Sequence, residues 1–196
     1  MTRESTEVRQ AQIKKAVLEI ISDEGLHHLS TRKLANKIGL SEGAIFRHFP
    51  TKRDIIKGIM DDVENDLLEK LKNIVIRVEP SNKKLFSYLC ANVEYLKLNR
   101  GITILLFSEA THLGDAELKE KLNLILMQQK LYIKKIVEGG IKEGLWNKKI
   151  NSDDFAIMYL GIPITFNIEM ILNNKAFVMD NFCKKMYYLL TKTLEK

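Results

Sequence analysis

Leu29-Ser-Thr-Arg-Lys-Leu-Ala-Asn-Lys-Ile-Gly-Leu-Ser-Glu-Gly-Ala-Ile-Phe-Arg-His-Phe-Pro-Thr-Lys-Arg-Asp-Ile-Ile56 spells two short helices and the start of a longer one. Ser30 offers an N-cap oxygen. Leu34, Ala35 and Ile38 form one inner face, and Gly39 ends that helix. Ser41 caps the next helix, Ile45 points inward, Phe49 closes it and Pro50 prevents its continuation. The connection Gly39-Leu40-Ser41 is the spacing of a helix-turn-helix, whose second helix enters the major groove of DNA. Ala35 is small enough for the two helices to approach closely. Upstream, Val8, Ala11, Ile13, Ala16, Val17, Ile20 and Ile21 recur at helical spacing up to Gly25, which makes a third helix.

Charge concentrates on the same stretch. The 196 residues hold 31 Lys+Arg and 25 Asp+Glu, a net +6. Between residues 26 and 53 six bases (Arg32, Lys33, Lys37, Arg47, Lys52, Arg53) face one acid, Glu42, a local balance of +5. Such a segment is an electrostatic footprint for phosphate, and a solvated face is the plain alternative. The free N–H groups at a helix N-terminus bind phosphate. Gly43 and Ala44 leave room for the backbone to approach bases, and Arg47 and Lys52 would neutralise phosphates.

Composition narrows the rest. An apolar share of 45% excludes a chain disordered throughout, and 10 Gly with 3 Pro are too few for the turns of an all-β protein. Cys90 and Cys183 form neither a disulfide framework nor a four-ligand zinc site, and they read as reduced core thiols of a cytoplasmic protein. Met1–Gln10 has no apolar stretch of the signal-peptide kind. Residues 155–172 are apolar but interrupted by Gly161, Pro163, Asn167 and Glu169, so they read as a buried helix and not a membrane span. His27 and His28 read as exposed loop residues, with no metal site and no cofactor implied.

Beyond the head, Thr51 and Asp54 make a capping box that opens a long helix with Ile55, Ile56, Ile59, Met60, Val63, Leu67 and Leu71 inside. Pro80-Ser81 breaks the chain and caps the next helix. A short helix over about 100–113 and the longest one meet at Gly114-Asp115. Two last helices, about 153–172 and 176–194, are apolar enough to pair with a second copy. Pro163 is expected to kink the first of them. Tyr88, Tyr95, Phe107, Glu109, Thr111, His112, Met127, Tyr132, Trp146 and Phe166 are candidate ligand-binding residues, with plain core the alternative for each. An apolar pocket with few polar groups suits a lipophilic ligand, whereas Glu109 would suit a cationic one.

The stretch 29–56 resembles the DNA-binding signature of the TetR family of bacterial transcriptional regulators: a hydroxyl residue opening the second helix, Leu-Ala, Gly-Leu-Ser, a small residue, an aromatic, His-Phe and Thr-Lys. The resemblance covers about fifty N-terminal residues. It implies an all-α fold, with a three-helix DNA-binding domain at 1–52 and a larger helical ligand-binding and dimerisation domain at 53–196. It further implies a homodimer through the two C-terminal helices, a double-stranded DNA operator and a small-molecule effector. Carried over by position, Ser30, Thr31 and Arg32 would contact the DNA backbone. Ser41, Glu42, Gly43 and Ala44 would face base edges, and Phe46, Arg47, His48 and Lys52 would lie at the backbone or groove edge. Phe46 replaces the usual Tyr of the family, which removes a phenol-to-phosphate hydrogen bond and leaves contact with a thymine methyl. Glu42 either accepts from cytosine N4 or complements the helix dipole, and His48 either touches DNA or packs.

The expected function is a ligand-responsive regulator, most simply a repressor released by its effector. An enzyme on a helical scaffold finds no phosphate-binding glycine loop, H-E-x-x-H or G-x-S-x-G here. A helical interaction protein with a basic surface would need no turn glycine, small Ala35 or capped short helices.

Overall fold

The computed structural model describes residues 5–112, 114–173 and 181–195, with the side chains of 110–112 set apart. Ten α-helices follow in order: α1 (Thr6–Glu24), α2 (Thr31–Ile38), α3 (Glu42–His48), α4 (Lys52–Asp62), α5 (Glu69–Val75), α6 (Ser81–Leu98), α7 (Ile102–His112), α8 (Ala116–Lys142), α9 (Ser152–Leu172) and α10 (Phe182–Leu194). No strand occurs among the described residues. The fold is all-α with a helix-turn-helix at its N-terminal end, as the periodicity predicts.

Packing divides the chain into two compact units, Met1–Asp62 with Asn99–Leu122, and Val63–Leu98 with Asn123–Lys196. In the first, α4, α7 and the start of α8 join the three N-terminal helices. Its core is aliphatic: Ile13, Ile20, Ile21, Ile45, Ile56, Ile59 and Met60 are all essentially solvent-free. Each buried side chain of this size contributes about 1.5–3 kcal/mol of hydrophobic free energy. Gly101 sets how close α7 comes to α1. A Cβ there would lie 2.5 Å from the Leu18 carbonyl oxygen.

The second unit is built around α6, with Leu85, Tyr88 and Leu89 fully buried. Tyr88 packs edge-on against Tyr159 of α9, ring centroids 5.6 Å apart. The Trp146 ring lies directly on Gly140, where any Cβ would clash with it at 2.1 Å. Helix α9 is 21 residues long and apolar enough to cross a membrane by length and composition, with a mean hydropathy of 1.7. Within the unit only one side of it is buried, by Phe155, Tyr159, Phe166 and Met170, so the expected buried helix is half exposed. Asn167 is solvent-free and donates Nδ2 to the Leu96 carbonyl at 3.2 Å, and the helix runs on through the buried Pro163.

The structure departs from the sequence reading at two further helix features. The expected single helix after Thr51 is interrupted by a π turn, Val63–Leu68. One extra residue rotates the following turn by about 100°. That rotation lets the adjacent Leu67 and Leu68 both be buried along with Leu71 and Ile74. Ser81 is the first residue of α6 and not its cap. Its N–H and hydroxyl both donate to Glu143, at 2.9 and 2.8 Å, and the Pro80 carbonyl receives the first helical N–H groups instead. The expected start of the last helix at 176 lies outside the described residues; α10 begins at Phe182.

Candidate DNA-reading head

Each short helix of the head is closed by the chemistry its sequence supplies. The Ser30 hydroxyl accepts from the Lys33 N–H at 3.2 Å and starts α2. Gly39 ends α2 in the left-handed region at φ 67°, and the Leu40 N–H reaches back to the Ala35 carbonyl at 2.9 Å. This is a Schellman motif. No atom lies within 4 Å of a Cβ built on Gly39, so its glycine requirement is conformational alone. The Ser41 hydroxyl accepts from the Ala44 N–H at 3.2 Å and starts α3. Thr51 and Asp54 form the reciprocal box ahead of α4, with the Thr51 N–H on Asp54 Oδ2 at 2.9 Å and the Asp54 N–H on Thr51 Oγ1 at 3.2 Å.

The inner faces are Leu34 and Ala35 from α2 and Ile45 with Phe49 from α3, all buried. Of the residues expected to read DNA, Ser30, Thr31, Phe46 and Lys52 border the cleft between these helices, and none is fully buried. Ser30, Arg32, Ser41, Glu42, Gly43, Phe46, Arg47 and Lys52 are exposed, and Thr31, Ala44 and His48 are half-covered. His48 also serves the head's packing, since its carbonyl accepts from Gln10 Nε2 at 3.0 Å. Between α1, α2, α3 and α4 lies a cleft of about 240 Å³ whose lining includes Leu29, Leu34, Phe46 and Ile55.

The basic segment is largely neutralised from within. Lys33 pairs with Glu24, Lys37 with Glu19 at 3.3 Å and Lys52 Nζ with Glu109 Oε1 at 2.9 Å. Arg53 grips Asp115 and Glu117, and Lys57 shares Glu117 at 2.6 Å. The Arg53 guanidinium holds the Asp115 carboxyl down to about 2, with the Leu118 N–H adding to the effect. Glu117 is likewise lowered, by Lys57 and then Arg53. Among the described residues no carboxylate pairs with Arg32 or Arg47, and Arg47 Nε rests on the Gly43 carbonyl of its own helix at 3.4 Å. Patterning could not reveal the pairs made by Lys52, Arg53 and Lys57, because their partners lie 57 to 64 residues apart in sequence.

The candidate ligand residues fall in both units. Phe107 and Glu109 belong to the first unit, and Tyr88, Tyr95, Met127, Tyr132, Trp146 and Phe166 to the second. Thr111 and His112 lie outside the residues whose side chains are described. Glu109 is 5% exposed, with one oxygen on Lys52 and the other, Oε2, without a hydrogen-bond partner. Phe107 and Met127 face outward, Tyr88, Tyr132 and Trp146 are buried, and Tyr95 is half-buried. Phe166 touches Phe182 and lines an apolar groove of about 400 Å³ with Met158, Gly161, Ile162, Thr165 and Met186.

Sequence reasoning missed the buried polar cluster of the second unit. Asn92 donates Nδ2 to the Tyr159 hydroxyl at 3.2 Å, and the Tyr88 hydroxyl donates to the Gln129 carbonyl at 3.4 Å. Burial pushes both phenols upward, so they stay protonated. An Asn inside an otherwise apolar stripe, as at 92 and 167, was the available signal.

A capped three-helix head with a closed aliphatic core and an outward second short helix defines a helix-turn-helix DNA-binding protein. Residues 13–59 match the family model described as bacterial regulatory proteins, tetR family. Residues 13–59 thus carry the N-terminal domain of the tetR family of bacterial regulatory proteins, and the chain as a whole shares the fold of solved regulators. Among curated relatives, the nucleoid occlusion factor SlmA of Aliivibrio fischeri (strain MJ11) is 28% identical over 138 residues, covering 69% of this chain and 70% of that protein. Among solved structures, the ketosteroid transcriptional regulator KstR2 of Mycobacterium tuberculosis superposes with a TM-score of 0.80 at 15% identity, covering 96% of this chain and 95% of that one. The transcriptional regulator FadR from Bacillus subtilis, in complex with stearoyl-CoA, does so with a TM-score of 0.74 at 20% identity, covering 94% and 99%. These structural likenesses show a shared fold.

Proposed function

We propose that the chain is a repressor that binds a palindromic operator as a homodimer and leaves it when a small molecule binds the region 53–196. The observation that carries the DNA reading is the outward face of α2 and α3. Two serine caps and Gly43 lie on it, together with Arg32 and Arg47, which meet no carboxylate among the described residues, while Leu34, Ala35 and Ile45 are buried on the inward face. Ser30, Thr31 and Arg32 hold the DNA backbone. Ser41, Glu42, Gly43 and Ala44 meet base edges, and Phe46, Arg47, His48 and Lys52 border the groove. A helix N-terminus with unpaired N–H groups favours phosphate, and the missing side chain of Gly43 lets the backbone approach.

Dimerisation is supported by apolar side chains turned outward on the two C-terminal helices, namely Ile157, Met158, Ile168 and Leu172 on α9 with Tyr188 and Leu189 on α10. Contiguous apolar surface of this kind marks an interaction face. Twofold pairing would set the two recognition helices about 34–36 Å apart, one turn of DNA. An effector binding one spacing better than the other shifts the population accordingly. The apolar lining of the second unit's groove, together with a structural neighbour holding stearoyl-CoA, favours a lipophilic effector. The reading is one of binding throughout, in the cytoplasm where the DNA is, with no catalytic step.

Selection of bound duplexes from a random pool tests it. The expected result is one inverted-repeat sequence, bound in a salt-dependent way and released by a long-chain acyl compound. Equal affinity for scrambled duplexes would overturn it. A second reading follows from the relatives named nucleoid occlusion factor: sequence-specific DNA binding that no small molecule relieves.

A further inference from the structure

Cys90 on α6 and Cys183 in the first turn of α10 form a pair. The two helices pack side by side, with Phe86 edge-on to Tyr187 at 5.2 Å between ring centroids. One turn further along α6 stands Cys90, and one turn back along α10 stands Cys183, which is an antiparallel register. Cys183 is close enough to Cys90 to push its thiol up. Cys183 shares its side of α10 with Tyr187 and the buried Leu190 and Leu194, whereas Phe182 and Met186 line the apolar groove. Both thiols are free and half-covered, so small solutes can reach them. Among the described residues no group of three His, Cys, Asp or Glu side chains could hold a metal ion. The pair therefore lacks the ligands of a zinc site.

The two sulfurs are not equivalent. Cys90 sits in the middle of a helix, where burial and the neighbouring Cys183 sulfur push its thiol up to about 12. Cys183 sits at the N-terminal end of a 13-residue helix and is followed by Lys184 and Lys185. The raised Cys90 thiol leaves Cys183 as the sulfur that attacks first.

We propose that Cys90 and Cys183 are a redox couple that closes into an intramolecular disulfide when the protein meets a hydroperoxide. The Cys183 thiolate attacks the outer peroxide oxygen and the O–O bond breaks. The sulfur becomes a sulfenic acid, and the other oxygen leaves as alkoxide and takes a proton to form the alcohol. The Cys90 sulfur then attacks Cys183, its proton joins the departing hydroxide, and the S–S bond forms with release of water. Two thiols supply the two electrons that reduce the peroxide. The bond staples the first turn of α10 to α6, and a dithiol reductant reverses it. Reducing compartments keep such pairs open, so closure signals an oxidant.

The test uses the full chain, reduced and then treated with equimolar hydrogen peroxide. The expected result is a mass loss of two hydrogen atoms and a tryptic map in which the Cys90 and Cys183 peptides are joined. The product should run as a single chain on a non-reducing gel and revert with dithiothreitol. Before oxidation, iodoacetamide should label Cys183 about tenfold faster than Cys90. In Cys90→Ser, Cys183 should persist as a sulfenic acid trapped by dimedone. Peptides joined only between two chains, or thiols that pass to sulfinic acid with no link between them, overturn the proposal. Neither outcome depends on a variant folding, since both are read on the unaltered protein.

Discussion

Of the six cations between residues 26 and 53, Arg32 and Arg47 meet no carboxylate among the described residues, and both are exposed on α2 and α3. Lys33, Lys37, Lys52 and Arg53 carry equal formal charge but are already answered by Glu24, Glu19, Glu109 and Asp115. Counterion release on DNA binding scales with the phosphates newly neutralised, so the formal +5 overstates the footprint. Arg47→Ala should weaken binding to every duplex and lower the log–log salt slope by about 1, as read by fluorescence anisotropy across a salt series. An unchanged slope removes Arg47 from the phosphate contacts. Lys52 differs, because a DNA phosphate must compete for it with a carboxylate that is nearly solvent-free. Glu109→Gln removes the competing charge. It should tighten operator binding several-fold, and the gain should vanish when Lys52 is changed to Ala as well. The same gain in both backgrounds would show that Glu109 acts on DNA binding by another route.

The helices α2 and α3 are short, and short helices depend on their ends. Ser30, Gly39 and Ser41 are the ends, all local and all legible in the sequence. The link from the first turn of α4 to the start of α8 was not legible. It joins Arg53 and Lys57 to Asp115 and Glu117 through charged side chains that read, in sequence, as solvated. Its pH behaviour follows from the depressed carboxyls. Asp115 ionises near 2 in the folded chain against an ordinary 3.8. Its contribution to stability is therefore complete above about pH 4 and is lost as pH falls toward 2. Denaturant unfolding from pH 5 down to pH 2 should show that loss in the wild type and a smaller one in Arg53→Gln, where Asp115 returns toward its ordinary value. Equal pH profiles would mean that the pair adds nothing to stability. The π turn at Val63–Leu68 has the same lesson. Helical periodicity marks apolar positions, but only packing decides whether Leu67 and Leu68 can both be inside.

One chain leaves Ile157, Met158, Leu172, Tyr188 and Leu189 in water, and the proposed second copy would cover them. Leu189→Glu places a charge in the middle of that face. It should convert the dimer to monomer in sedimentation equilibrium and reduce operator affinity by about a hundredfold or more, because each half-site is then bound singly. The isolated head contacts would be unchanged, so affinity for a half-site should stay at its wild-type value. A dimer that survives the substitution would place the interface elsewhere.

The sequence by itself determined the all-α class, the capped helix-turn-helix, which residues of α3 face outward and the outward apolar residues of the last two helices. These are written in residues three or four apart, or in caps and turns that depend only on their neighbours. Tertiary structure alone decided which cations remain free, where Glu109 points, how Ser81 spends its hydroxyl, and that Cys90 and Cys183 stand face to face. Apart from the Lys33–Glu24 and Lys37–Glu19 pairs, each of those is a contact between side chains more than fifty residues apart, which neighbouring residues in the sequence do not encode.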